Sequence, residues 1–86
     1  VGLASATDGA FDFGEMLTAT ATCPSGTTTV ISGGVDVVTV PAANVYEVVI
    51  NESFRSAAGA WTVTVSSVNL GGPLTATITV QAICIP

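Results

Sequence analysis

The side chains with which this 86-residue chain could do chemistry are few: two cysteines, one arginine, six carboxylates and no histidine. General acid–base catalysis needs a group that titrates near the working pH, or two carboxylates in contrasting environments. A serine or cysteine nucleophile needs a neighbouring base, and the chain has neither histidine nor lysine. A zinc site would lack ligands. The sequence therefore predicts a protein that is not an enzyme and that binds no cofactor.

Three of the acids lie near the N-terminus, at Asp8, Asp12 and Glu15. Oxygen ligands at short spacing can hold calcium, but an EF-hand loop needs acids at alternate positions and a glycine at the sixth. These residues do not follow that spacing. We therefore interpret them as a solvated acidic segment that keeps the domain in solution, and we predict no metal site.

The two cysteines, Cys23 and Cys84, form either a disulfide bridge or two buried free thiols. Each lies at the end of an alternating stretch and on its apolar side, which favours the bridge. A bridge would close most of the chain and stabilise it by about 4 kcal/mol on the chain-entropy estimate, comparable to the whole stability of a small domain. It would also imply an oxidising compartment, and hence a secreted, periplasmic or cell-surface location.

The net charge of −5 and the single cation, Arg55, restrict the partners of the protein. One arginine cannot neutralise enough phosphates to bind nucleic acid, and it cannot hold the chain on anionic lipid. The uncharged stretch after Arg55 contains glycines, a proline and alternating threonines, so it does not predict a helix inserted in a membrane. Arg55 is either a solitary loop charge or the partner of a carboxylate on a neighbouring subunit.

Trp61, Tyr46 and Phe54 are the candidates for stacking against a glycan, because aromatic rings suit the apolar faces of sugars. Trp61 shares its side of a predicted strand with Val63 and Val65, and Tyr46 is placed likewise on a strand of its own. Burial of both rings in the core is therefore the favoured interpretation.

The elements that position these residues are clearest in the C-terminal stretch 61–85. Apolar residues alternate with polar ones, mostly threonine, over residues 74–84, which is the period of two that marks a half-buried β-strand. Residues 61–66 alternate in the same way, and residues 69–73 are typical of a turn. The stretch therefore predicts a β-hairpin whose two apolar faces are directed into one core.

Turn residues separate four further runs that are alternating or rich in β-branched residues. These predict strands at residues 17–23, 27–32, 35–40 and 45–51. The run 35–40 is nearly all valine, which predicts burial on both faces, and Gly33-Gly34 is predicted to end the strand before it. Residues 52–60 form a predicted loop that carries Phe54 and Arg55.

Residues 1–16 are predicted to be an N-terminal arm or edge strand, and residues 17–86 the sandwich domain. Phe11 and Phe13 share a parity, which predicts a short strand that buries both rings. With six or seven strands and no convincing helix, the fold is predicted to be all-β. The expected architecture is a small antiparallel β-sandwich, Ig-like or jelly-roll-like, closed by one disulfide.

Two motifs resemble those of small secreted bacterial β-domains that carry a single disulfide. The first is CPSGT at residues 23–27 followed by VISGGV at 30–35, and the second is WTV at 61–63 with a closing AIC at 82–84. Similar domains occur in collagen-like and phage tail-associated proteins. The chain departs from their pattern in having two glycines where three are usual. The resemblance implies a Cys23–Cys84 bridge and an extracellular module without enzymatic activity.

The predicted function is that of a structural subunit of an extracellular or virion-surface assembly, such as a filament, a pilus-like fibre or a surface layer. The chain has no lysine and few charges with which to protect its strand edges, which favours self-association into a homo-oligomer or polymer. Residues 1–9 are the candidate for a strand donated to a neighbour. The alternative is an extracellular carbohydrate-binding or adhesion module, which requires exposed aromatic residues.

Overall fold

In a computed structural model that describes all residues 1–86, the chain folds into six β-strands and one short 3-10 helix. The elements are β1 (Gly2–Asp8), β2 (Met16–Thr22), β3 (Thr29–Val40), the 3-10 helix (Ala42–Glu47), β4 (Val48–Ala57), β5 (Ala60–Ser67) and β6 (Thr75–Ile85). Sheet A has the strand order β1-β6-β3 and sheet B the order β2-β5-β4, and every neighbouring pair is antiparallel. The prediction of a small antiparallel β-sandwich is confirmed. No helix has the length and apolar character needed to cross a membrane.

The core lies between the two central strands, β5 and β6. On β6 the apolar residues from Ala76 to Ala82 are buried and polar residues alternate with them, as the period of two predicts. On β5, Val63 and Val65 are buried in the same cluster. The buried cluster has eleven members: Phe11, Ala19, Ala21, Val30, Val63, Val65, Leu74, Ala76, Ile78, Val80 and Ala82.

The hairpin predicted over residues 61–85 is wrong, because β5 and β6 lie in different sheets. Each is the central strand of its sheet and pairs with two other strands. The segment 69–73 crosses between the sheets and folds around Asn69, whose side chain is buried. The Nδ2 of Asn69 donates to the carbonyl oxygen of Gly72 at 3.0 Å, and its Oδ1 accepts from the N–H of Gly71 at 3.2 Å. This buried side chain holds the segment as a crossover at the end of the sandwich.

Gly33 and Gly34 lie inside β3 and do not end a strand, contrary to the prediction. A Cβ atom at Gly33 would lie 2.3 Å from ring carbons of Trp61, so the missing side chain lets the indole pack directly on the backbone of β3. A Cβ atom at Gly34 would meet nothing within 4 Å. Gly33 is therefore a contact between the sheets, and the chain continues through it as a strand.

Two predictions of burial are wrong, because the residues concerned lie on surfaces that the other sheet does not cover. The run 35–40 is not buried on both faces, because Val38 and Val40 lie on the outer face of sheet A and are exposed. Phe11 is fully buried, whereas Phe13 is 63% exposed. The residues between β1 and β2 form turns and no strand, so the shared parity of the two rings does not place them on one face.

The segment after β3 also differs from the prediction. Residues 42–47 form the 3-10 helix, so the strand predicted at 45–51 begins later, at Val48. It also continues further, to Ala57, and the predicted loop 52–60 shrinks to a two-residue turn between β4 and β5. The sequence of β4 shows little alternation because nearly all of its residues are exposed.

Of the two alternatives for the N-terminus, the structure has the edge strand. β1 pairs with β6 along its whole length, from Gly2 to Asp8. Two pairs of outward hydroxyl groups link the strands at 3.1 and 3.0 Å: Ser5 with Thr79, and Thr7 with Thr77. Cross-strand hydroxyl pairs of this kind stabilise the ladder, so β1 is held by more than its backbone.

The two ends of the sandwich are closed by different means. The predicted disulfide is confirmed: Cys23, just after β2 of sheet B, is bonded to Cys84 on β6 of sheet A, with their Cα atoms 5.8 Å apart. At the other end Phe11 fills the space between the sheets. The N–H of Phe11 donates to the carbonyl oxygen of Leu74, and its carbonyl accepts from the Oγ of Ser67, both at 2.9 Å.

Candidate functional site

The strand with the most accessible surface is β4. Only Val48 among its residues is even partly buried. β5 pairs with one side of β4, and no strand of the chain pairs with the other. The backbone N–H and C=O groups of an unpaired side are directed away from the sheet and are a template for the addition of another strand. We call this unpaired side of β4 the free edge.

Bulges at two places divide β4. Its pairing with β5 shifts register between Ile50 and Glu52, and again between Arg55 and Ala57, so only residues 52–55 are paired regularly in between. Two of these four side chains lie on the outer face of sheet B and two on the inner side. On the outer face, Glu52 pairs with Thr64 and Phe54 pairs with Thr62. On the inner side, Ser53 pairs with Val63 and Arg55 pairs with Trp61.

The free edge carries apolar side chains, and its protection is limited to two bulges and two charged residues. The exposed apolar residues of β4 include Val49, Ile50 and Phe54. Soluble proteins usually guard an edge strand with lysine, proline, other charges or β-bulges. β4 has neither lysine nor proline, and its only charged residues are Glu52 and Arg55.

Arg55 lies on the edge strand and not on a loop, contrary to the prediction. Its guanidinium group makes one hydrogen bond within the chain, a long one of 3.4 Å from Nη1 to the carbonyl oxygen of Val30. Because arginine has five N–H donors, most of its hydrogen-bonding capacity faces solvent.

The three aromatic candidates for sugar stacking lie in three different settings. Trp61 is half-buried on the inner side of β5, and its Nε1 donates to the Oγ of Ser53 at 3.0 Å. Phe54 lies on the opposite face of the same sheet and is 43% exposed. Tyr46 lies in the 3-10 helix and not on a strand, and it is 73% exposed, so the predicted burial of this ring is wrong. Trp61 and Phe54 cannot stack on one ligand, because the sheet lies between them.

The outer face of sheet B presents hydroxyl groups that are already paired. The Oγ1 atoms of Thr18 and Thr64 are 3.0 Å apart, and those of Thr20 and Thr62 are 2.8 Å apart. These bonds join β2 to β5. The face therefore stabilises the sheet more than it offers free donors to a ligand.

A shallow hollow of about 260 Å³ lies on the outer face of sheet A. It forms over Gly34, where no side chain fills the surface, and Asp36, Gln81 and Leu3 are among the residues around it. No aromatic residue lines it, so it lacks the stacking platform expected of a sugar site.

The acids near the N-terminus are used in turns. An oxygen of Asp8 accepts from the N–H of Ala10 at 2.9 Å, and one of Glu15 accepts from the N–H of Asp12 at 2.7 Å. The structure brings together no group of three or more acidic or cysteine side chains that could hold a metal ion.

Every buried side-chain nitrogen or oxygen has a hydrogen-bond partner, so all the buried side-chain polar atoms serve the fold.

No family model, curated protein or solved structure matches the chain. The resemblance to secreted bacterial β-domains therefore stays a prediction. The free edge of β4 was not evident from the sequence, because residues 52–57 lack the alternation that marks a strand with one buried face.

Proposed function

We propose that the protein is a non-enzymatic structural subunit of an extracellular or virion-surface assembly, and that copies of the chain associate through the free edge of β4. The exposure of β4 carries this proposal: of the four edge strands, it is the one in which nearly every residue is exposed, and the exposed residues include Val49, Ile50 and Phe54. Adding a strand there would pair its backbone groups and remove Ile50 and Phe54 from water, and both changes favour association.

The other strand edges are less suited to this contact. β1, the candidate for a donated strand, is already paired with β6 of its own chain from end to end. β1 and β2 each have an unpaired side, but residues of both strands alternate between exposed and at least partly buried, so they present less accessible surface than β4. The beginning of β3 is covered by the turn between β4 and β5, where the N–H of Val30 donates to the carbonyl oxygen of Ala58 at 2.8 Å. We therefore assign the contact to β4.

An extracellular location is part of the proposal. The Cys23–Cys84 disulfide is compatible with it, because such bonds persist in oxidising compartments. The alternative function, carbohydrate binding, has less support. Phe54 and Trp61 lie on opposite faces of sheet B, and the hollow on sheet A has no aromatic wall.

The proposal is tested by the size of the native particle, measured by light scattering and negative-stain microscopy over a concentration series. We expect particles larger than the 8.5 kDa chain. Phe54→Lys places a charge on the free edge and should release monomers. Phe13→Lys makes the same change at an exposed ring outside any strand and should leave the assembly intact.

A wild-type protein that stays monomeric at every concentration would contradict the proposal. Equal loss of assembly in the two lysine variants would also contradict it, because the free edge would then have no special role. Retention of the disulfide and of a cooperative unfolding transition in both variants shows that each still folds; the midpoint itself is compared only in dilute protein, because association raises it.

A further inference from the structure

We infer that the strand added at the free edge is β4 of a second copy, paired antiparallel about a two-fold axis with Phe54 opposite Phe54. This inference rests on the proposed function and adds to it the partner strand and its register. It follows from three properties of β4: the alternation of its faces, the position of its bulges and the position of its charges.

Alternation limits the position of the axis. Two residues directly opposite each other in an antiparallel pair lie on the same face of the sheet. A two-fold axis keeps each residue and its copy on the same face, whereas neighbours along a strand lie on opposite faces. The axis must therefore pass through a residue that faces its own copy, and it cannot pass between two residues.

The bulges limit the centre further. A bulge interrupts the ladder and increases the local twist, so a new strand pairs best with the regular stretch between the two bulges. That stretch is residues 52–55. Only four centres are thus available: Glu52, Ser53, Phe54 and Arg55.

Repulsion between like charges excludes two of these four centres. A centre at Glu52 would put two carboxylates opposite each other, and a centre at Arg55 would put two guanidinium groups opposite each other. Like charges in directly opposite positions destabilise a strand pair. A centre at Ser53 avoids this, but it places each Phe54 ring opposite a Glu52 carboxylate.

A centre at Phe54 satisfies all the conditions. The two rings lie opposite each other on the outer face, where each is already partly exposed and can cover the other. Each Arg55 lies opposite Ser53 of the other copy, so no like charges meet. The result is one continuous six-stranded sheet with the order β2-β5-β4-β4-β5-β2. Because this contact is self-complementary, it closes at two copies and is the repeating unit from which a larger assembly would grow through a second contact.

Single-cysteine variants of the full chain test the register. Opposite Cα atoms in an antiparallel pair are about 4.5 or 5.5 Å apart, and both spacings suit a disulfide. Under mild oxidation Phe54→Cys should form covalent dimers about tenfold faster than Ser53→Cys or Arg55→Cys alone. Phe13→Cys, an exposed loop position, gives the rate of random collision. Mass spectrometry confirms that the native disulfide is intact.

A second cross-linking experiment tests the same register without changing Phe54. An equimolar mixture of Ser53→Cys and Arg55→Cys chains, one of them carrying a size tag, should form mixed dimers in preference to either self-linked dimer. Fastest linkage of Ser53→Cys to itself would overturn the inference, because it marks the centre at Ser53. If wild-type chains assemble but no β4 variant links faster than Phe13→Cys, this inference fails and the proposed function stands. If wild-type chains are monomeric, both fail.

Discussion

β4 and β5 are neighbours in sheet B, yet their side chains lie in opposite environments. β5 has a strand on each side and sheet A above it, and Val63 and Val65 are fully buried. β4 has a partner on one side only, and Val49 and Ile50 are exposed although they are equally apolar. Residue type alone therefore does not decide burial in this protein: the position of the strand in its sheet and the layer that covers it also do.

The central and edge strands also differ in the interactions that hold them in place. The central strands are held by ladders on both sides, by the apolar cluster and, for β6, by the disulfide. β4 is held by one ladder and by hydrogen bonds such as that between Trp61 and Ser53. Stability should therefore be concentrated in the centre of the sandwich, and the edge should be free to serve association.

The largest expected effect comes from removing the disulfide with Cys23→Ser and Cys84→Ser together. The bond closes a loop of 61 residues, so the free energy of unfolding should fall by about 4 kcal/mol. Hydrogen exchange should show lower protection for the amides of β5 and β6, and little change for the free edge of β4, which opens locally. A loss of stability near zero, or equal changes in β4 and β6, would contradict the contrast between centre and edge.

A matched pair of isoleucines gives the next effect. Ile78 on β6 is 0% exposed and Ile50 on β4 is 55% exposed. Ile78→Ala should lower the free energy of unfolding by about 3 kcal/mol, because it removes buried apolar atoms and leaves a cavity. Ile50→Ala should change it by less than about 0.5 kcal/mol. Urea denaturation of the dilute protein measures both, and similar losses would show that β4 is part of the core.

The sequence allowed prediction of the parts of the fold in which one face is buried and the other is not. The alternation at residues 17–23 and 74–84 predicted β2 and β6 closely, and the apolar parity of the cysteines indicated the disulfide. Such patterns report whether a side chain is buried, and they are local. They do not report which strand is the hydrogen-bonding partner, so β5 and β6 were paired with each other instead of with strands distant in the chain.

The candidate site was harder to predict for a related reason. β4 is exposed on both faces, so the residues 52–57 do not alternate between apolar and polar types as they would if one face were buried. The sequence did point to scarce edge protection, since lysine is absent. Which strands lie at the edges of the sheets, and which of them is exposed on both faces, are properties of the assembled fold, and they became visible only with the strand order.

The smallest effect concerns Gly33 and Gly34, which the sequence presents as equivalent. Gly33→Ala brings a methyl group within 2.3 Å of the Trp61 ring, whereas Gly34→Ala meets nothing within 4 Å. Gly33→Ala should lower the free energy of unfolding by about 2 kcal/mol and shift Trp61 fluorescence to the red, because the displaced indole becomes more exposed. Gly34→Ala should change stability by less than about 0.5 kcal/mol and leave the emission unchanged. Unchanged emission in Gly33→Ala would mean that the indole does not rest on β3, and the close contact between the edge of sheet A and the centre of sheet B would have to be abandoned.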